Sequence, residues 1–252
     1  MEDIQQSQLI FYLPITASYA AACLLGYFGL KKIVAPAQEE NYRPAKPLQE
    51  LLWALLAVTA IFGIGRVYSA GYLIPSDYNP LAWILNNLII YSPIFLVLLL
   101  RKQPLSTIWI KAENWYWKIG VGLLASALSV SLFLLLRSEW RRWPAVVGKS
   151  LSLDGLSNFV AIFLEGVALA FLFVRLKWVT NLRVALAIPA LLFALAHVPG
   201  MLSDGDPWWH MVLMSLATGA ISLFVLYTCD RLKDIIWIGL VHYFLDAAIS
   251  AF

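Results

Sequence analysis

Residues 81–100 read LAWILNNLIIYSPIFLVLLL, twenty positions without a charge. An α-helix rises about 1.5 Å per residue, so about twenty apolar residues cross the roughly 30 Å hydrocarbon core of a bilayer. The stretch reads as a transmembrane helix. Comparable runs recur at about 9–30, 51–71, 118–137, 158–176, 184–200, 208–229 and 235–252. The expected fold is therefore all-α and polytopic, a bundle of about eight transmembrane helices.

Composition excludes the alternatives. The chain has 252 residues, 61% hydrophobic and 13% charged, against about half and a quarter in soluble domains. Eleven Trp and 11 Tyr suit rings that sit at headgroup depth. A formal charge of +3 is too small to imply nucleic acid, so membrane lipids are the expected surroundings. Cys23 and Cys229 fall inside apolar runs, without metal or redox spacing, and read as buried free thiols. The acidic Met-Glu-Asp start followed by a long apolar run does not resemble a cleavable signal peptide.

The connections set organisation and orientation. The stretch from Lys31 to Glu50 carries Lys31, Lys32, Glu39, Glu40, Arg43 and Lys46 and cannot lie in lipid. The segment from Leu105 to Lys118, with Trp109, Trp115, Tyr116 and Trp117 among charges, is too polar to span and is expected as an interfacial helix. Residues 1–252 make one membrane domain: four spans and the interfacial helix over 1–150, then a four-helix core over 155–252. Lys and Arg collect on one side of the alternating connections. The exception is Arg137, Arg141, Arg142 and Lys149 on the other. Cytoplasmic loops carry the excess of cations, so both termini are expected outside; the expected location is the plasma membrane of a prokaryote.

Ionisable groups inside spans cost at least about 2.5 kcal/mol each and are functional candidates by default. They are Arg66, Glu165, His197, His242 and Asp246; His210 stands at an interface after Trp208 and Trp209. Counting at about 1.5 Å per residue puts Glu165, His197, His242 and Asp246 in one half of the bilayer. His242 and Asp246, four residues apart, share a helix face, so the carboxylate could orient the imidazole. Pro199 and Gly200 should end the helix at His197. An acid and two imidazoles in a low-dielectric pocket could polarise a water for hydrolysis. They could equally hold a divalent metal such as zinc through Glu165, His197 and His242, although no cofactor is the favoured reading. Each residue alone also has a plain structural role: a histidine bonding between helices, a protonated and packed glutamate.

LLFALAHVPG, from Leu191 to Gly200, resembles the second motif (F-x-x-x-H) of the CPBP family, which comprises CAAX prenyl-protein endopeptidases and bacteriocin-processing or immunity proteins. DIIWIGLVHYFLD, from Asp234 to Asp246, resembles its third, H-x-x-x-N or H-x-x-x-D. The likeness covers roughly residues 155–252. The family's first motif is E-E-x-x-x-R; matching its downstream Arg-Leu to Arg175 and Leu176 leaves Leu164 at the first Glu, Glu165 at the second and Leu169 at the Arg. The resemblance implies that a Glu and His197 activate water while His242 and Asp246 stabilise an oxyanion. Leu164 stands where the base belongs. Glu165 would replace it only if the helix turned or bulged, and Arg66 is the remaining intramembrane cation that could pair with it.

The leading expectation is a CPBP-type intramembrane endopeptidase-like protein acting by Glu165, His197, His242 and Asp246 on peptide segments in the membrane. The rival is an inactive family member, a scaffold, chaperone or immunity protein that binds a membrane partner. A proton-coupled transporter using Glu165 and Asp246 ranks behind both, because no inverted repeat is visible.

Overall fold

The computed structural model describes residues 2–32, 44–75 and 79–251. Its helices are α1 (Glu2–Leu30), α2 (Pro47–Ser69), α3 (Pro80–Leu100), α4 (Trp115–Leu136), α5 (Trp143–Leu151), α6 (Leu153–Val179), α7 (Leu182–Ala196), α8 (Val198–Ser203), α9 (Trp208–Leu232) and α10 (Ile236–Ile249). No strand occurs among the described residues. The expected loop charges Glu39, Glu40 and Arg43 lie outside them.

Local chemistry sets the boundaries. Asn79 accepts from the Leu81 and Ala82 backbone N–H groups ahead of α3, with Pro80 in the first turn. Ser152 accepts from Gly155 N–H to start α6, and Asn181 from Val184 N–H to start α7. Each occupies donors that the first helical turn leaves free. Lys233, left-handed at φ 51°, stops α9.

Among the described residues seven helices are long and apolar enough to cross a membrane, taking Tyr12–Leu30 within α1 and Leu182–Ser203 as one run. The chain is an integral membrane protein. The eighth run is shorter than the sequence suggests: α10 has 14 residues, about 21 Å at the helical rise, and does not reach across a bilayer alone. Its C-terminal carbonyls are met by side chains from the α5 region instead. Lys149 Nζ donates to Ser250 O at 2.6 Å and Arg142 to Ala251 O at 2.7 Å. Tyr243 hydroxyl donates to Ser150 O. Cations complement a helix C-terminus, which gives the exceptional Arg137–Lys149 cluster a local reason to exist.

The stretch from Leu105 is not an interfacial helix. One 3-10 turn, Leu105–Ile108, is followed by left-handed Trp109 (φ 62°), and a second left-handed residue, Asn114 (φ 53°), precedes α4. Trp109 is buried and packs on the Phe173 ring at 5.1 Å. Trp115, Tyr116 and Trp117 remain exposed, as headgroup-level aromatics would be.

Five helices close a ring: α1 packs on α9, α9 on α7, α7 on α6, α6 on α10 and α10 on α1. α4 backs the α1–α10 side, and the α2–α3 hairpin packs on α6. Lipid tails are as apolar as leucine, so helices associate through close van der Waals contact at small residues. Trp237, fully buried, shows the consequence. A Cβ on Gly26 would lie 2.5 Å from its ring, and one on Gly122 would lie 2.9 Å from its carbonyl oxygen.

Buried charge collects at the end of the bundle where α3, α6 and α9 finish. Arg101 and Gln103 both bond Glu50, at 2.7 Å each. Arg175, 1% exposed, reaches Gln103 at 2.5 Å and the Thr107 carbonyl at 2.9 Å, with the Phe171 ring 4.1 Å from its guanidinium carbon. Lys118 pairs with Asp234, while Lys177 and Lys233 share Asp230. These networks tie the α2–α3 hairpin and the ends of the ring helices together.

Candidate functional site: a lateral cavity on α6

A cavity of about 350 Å³ lies over α6, walled by Val58, Ile61 and Phe62 of α2, Tyr91 of α3, and Pro189, Leu192, Phe193 and Ala196 of α7. α6 contributes Glu165, Ala168, Leu169 and Leu172, and His197 completes the wall. The α6 positions follow the helical i, i+3, i+4, i+7 pattern, so one face of an uninterrupted helix lines the space. Phe62 and Ala196 are exposed at the rim. The cavity therefore opens sideways between α2 and α7, through the apolar surface that lipid covers.

Glu165 and His197, two of the four residues expected from the sequence, meet in this cavity. Glu165 reaches it without a bulge, because Leu164, one residue earlier, is 4% exposed and outside the lining. Leu169 also lines the cavity. Among the described residues the Glu165 carboxyl makes no hydrogen bond or ion pair. Arg66 is exposed and does not pair with it, so the anticipated Arg66–Glu165 bridge is absent.

His197 is the C-cap of α7, where the sequence places a helix end. Its Nδ1 lies 2.8 Å from the Phe193 carbonyl, and the two rings meet edge-on at 4.8 Å. A carbonyl only accepts, so Nδ1 carries the hydrogen in this contact, and in the neutral ring Nε2 is then the nitrogen with the lone pair. Phe193 thus fixes both the tautomer and the orientation of the ring.

His242 and Asp246 do not line the cavity. His242 sits edge-on to the Tyr19 ring of α1, centroids 6.0 Å apart, and Asp246 lies toward the α5-covered end of α10. The two form no hydrogen bond with each other among the described residues, contrary to the i, i+4 expectation. Electrostatics links the groups at longer range. Glu165 interacts with Asp246, and His197 with both Asp246 and His242. Among the described residues no three His, Cys, Asp or Glu side chains are grouped to hold a metal ion. Glu165, His197 and His242 therefore do not form the ligand set considered above.

His210 is more than an interfacial ring. Its Nε2 lies 2.6 Å from the Tyr12 hydroxyl and its Nδ1 3.1 Å from Asp206, a chain that pins α1 to the start of α9. Cys23 and Cys229 are buried and free, as expected. Tyr91 and Phe193 were not legible as site residues. A phenol is uncharged, so a search for intramembrane charge passes over Tyr91, and Phe193 acts through its backbone carbonyl.

No family model, curated protein or solved structure matches this chain.

Proposed function

We propose that this chain is a CPBP-type intramembrane endopeptidase-like protein that hydrolyses peptide bonds of membrane-associated segments entering between α2 and α7. The reading is carried by one observation, the presence of Glu165 and His197 on the walls of a single cavity within the membrane-spanning helices. A water between them meets a carboxylate and an imidazole whose Nε2 lone pair is available. As its oxygen adds to the peptide carbonyl, its proton passes to this pair. The C–N bond then breaks as the proton moves on to the leaving amine, giving one carboxylate and one amine. Asp246 acts at longer range, through its electrostatic interaction with His197. In this reading the end of the bundle richer in Lys and Arg faces the cytoplasm of a prokaryotic cell, so the Glu165 half of the plasma-membrane bundle faces outward.

Purified protein incubated with hydrophobic membrane peptides is expected to cleave them, with Glu165→Gln and His197→Ala each slowing cleavage by at least about 100-fold. Cleavage that survives both substitutions ends this reading. A second reading, a non-catalytic partner-binding protein, is favoured by Leu164 packed in the core and by apolar Leu169 on the cavity wall. It requires that such peptides bind and are recovered intact.

A further inference from the structure

The cavity holds a third polar side chain, and it comes from the half of the chain that the motif resemblance does not reach. Tyr91 of α3 lines the wall with Glu165 and His197 and interacts electrostatically with Glu165. Its depth matches. Tyr91 is 11 residues into α3 and Glu165 12 into α6, so the two lie about 16 and 18 Å from helix starts at the same end of the bundle. Among the described residues the Tyr91 hydroxyl has no hydrogen-bond partner. Tyr91 is half-buried, and a phenolic hydroxyl left unpaired beside apolar walls gains when something accepts from it.

The charge of the cavity selects what that acceptor can be. No Lys or Arg is among the lining residues, whereas Glu165 lines the wall and Asp246 lies within its electrostatic reach. A phosphate or free carboxylate would find no cation to balance it in this low-dielectric space. A neutral carbonyl meets one available donor, and the apolar walls suit the hydrocarbon attached to it.

We propose that Tyr91 is the cavity's hydrogen-bond donor, giving its phenolic proton to the carbonyl oxygen of an uncharged peptide group that enters between α2 and α7. The proposal rests on the hydrolytic reading only for the identity of that carbonyl. Fixed donors aimed at a developing oxyanion are among the strongest contributions an active site makes. Tyr91 would hold the carbonyl oxygen while water bound by Glu165 and His197 attacks the carbon.

The test uses binding, so that it stands apart from cleavage. A fluorescent, capped, leucine-rich peptide is prepared with one amide replaced by a ketomethylene group, stepped through each position. Matched analogues carry two methylenes there instead. Affinities for the detergent-purified full chain are measured by anisotropy. At one position the ketone is expected to bind about 2–10-fold more tightly than its methylene partner. Tyr91→Phe is expected to erase that advantage while leaving the methylene analogue unchanged. The proposal is overturned if no position distinguishes the pair, if Tyr91→Phe weakens both alike, or if the advantage survives the substitution. A chain that shows the Tyr91-dependent advantage yet cleaves nothing would overturn the hydrolytic reading and leave the donor assignment standing.

Discussion

The Lys118 ammonium lies 2.7 Å from the Asp234 carboxylate, with the two side chains 2% and 1% exposed. Lys118 also donates to the Lys111 carbonyl, and Asp234 accepts from the Ile236 backbone N–H at the start of α10. The pair therefore clips the entry of α4 to the entry of α10. Two buried charges lose hydration, and each is the other's only counter-charge among these partners, so removing one costs more than removing both. Lys118→Met alone should destabilise the protein by about 3–5 kcal/mol. Lys118→Met with Asp234→Leu should recover most of that loss. Thermal unfolding in detergent measures both, and a double variant weaker than the single one contradicts this account.

Arg175 offers a second stability test. Its guanidinium satisfies Gln103 and Thr107 together and stacks over Phe171. Arg175→Leu strips donors from acceptors on two buried residues, a loss expected to be about 3 kcal/mol. Arg175→Lys keeps the charge but lacks the planar fork, and should fall between. Equal melting temperatures for Lys and Arg at this position would show that charge alone matters.

Helix packing can be separated from helix propensity. Gly122→Ala must push against Leu240 at 2.8 Å and the Trp237 carbonyl at 2.9 Å, whereas a Cβ on Gly63 meets nothing within 4 Å. Overpacking costs about 1–3 kcal/mol, and Ala is about 1 kcal/mol better than Gly inside a helix. Gly122→Ala should lower the melting temperature and Gly63→Ala should hold or raise it.

A glutamate introduced one residue before Glu165 should not help. Leu164 is in the packed core and outside the cavity lining, so Leu164→Glu buries a carboxyl without bringing it to Glu165 or His197. The expected result is a loss of about 2 kcal/mol or more in stability and no gain in peptide cleavage. Faster cleavage by this variant would mean that the Leu164 side of α6 can reach the cavity after all.

The Tyr12–His210–Asp206 chain ties α1 to α9. Tyr12→Phe removes one hydrogen bond from a half-buried imidazole, and about 1 kcal/mol of stability should go with it. Hydrogen exchange at the start of α9 should rise in the same variant.

What the sequence by itself determined is the class of fold and the inventory of suspicious residues. Runs such as 81–100 are legible because lipid offers backbone no partner, so a spanning segment must be helical and apolar throughout its length. Glu165, His197, His242 and Asp246 stood out because charge is rare at that depth. Only the tertiary structure decided which of them meet. The direction of a side chain around its helix depends on the neighbours that helix finds, and α6 turned Glu165 to the cavity while packing Leu164 inward. The same packing left His242 against Tyr19 and brought Tyr91, an uncharged residue from a distant span, to the wall beside Glu165. The length of α10 was likewise a tertiary outcome, since Lys149 and Arg142 meet its carbonyls from another part of the chain.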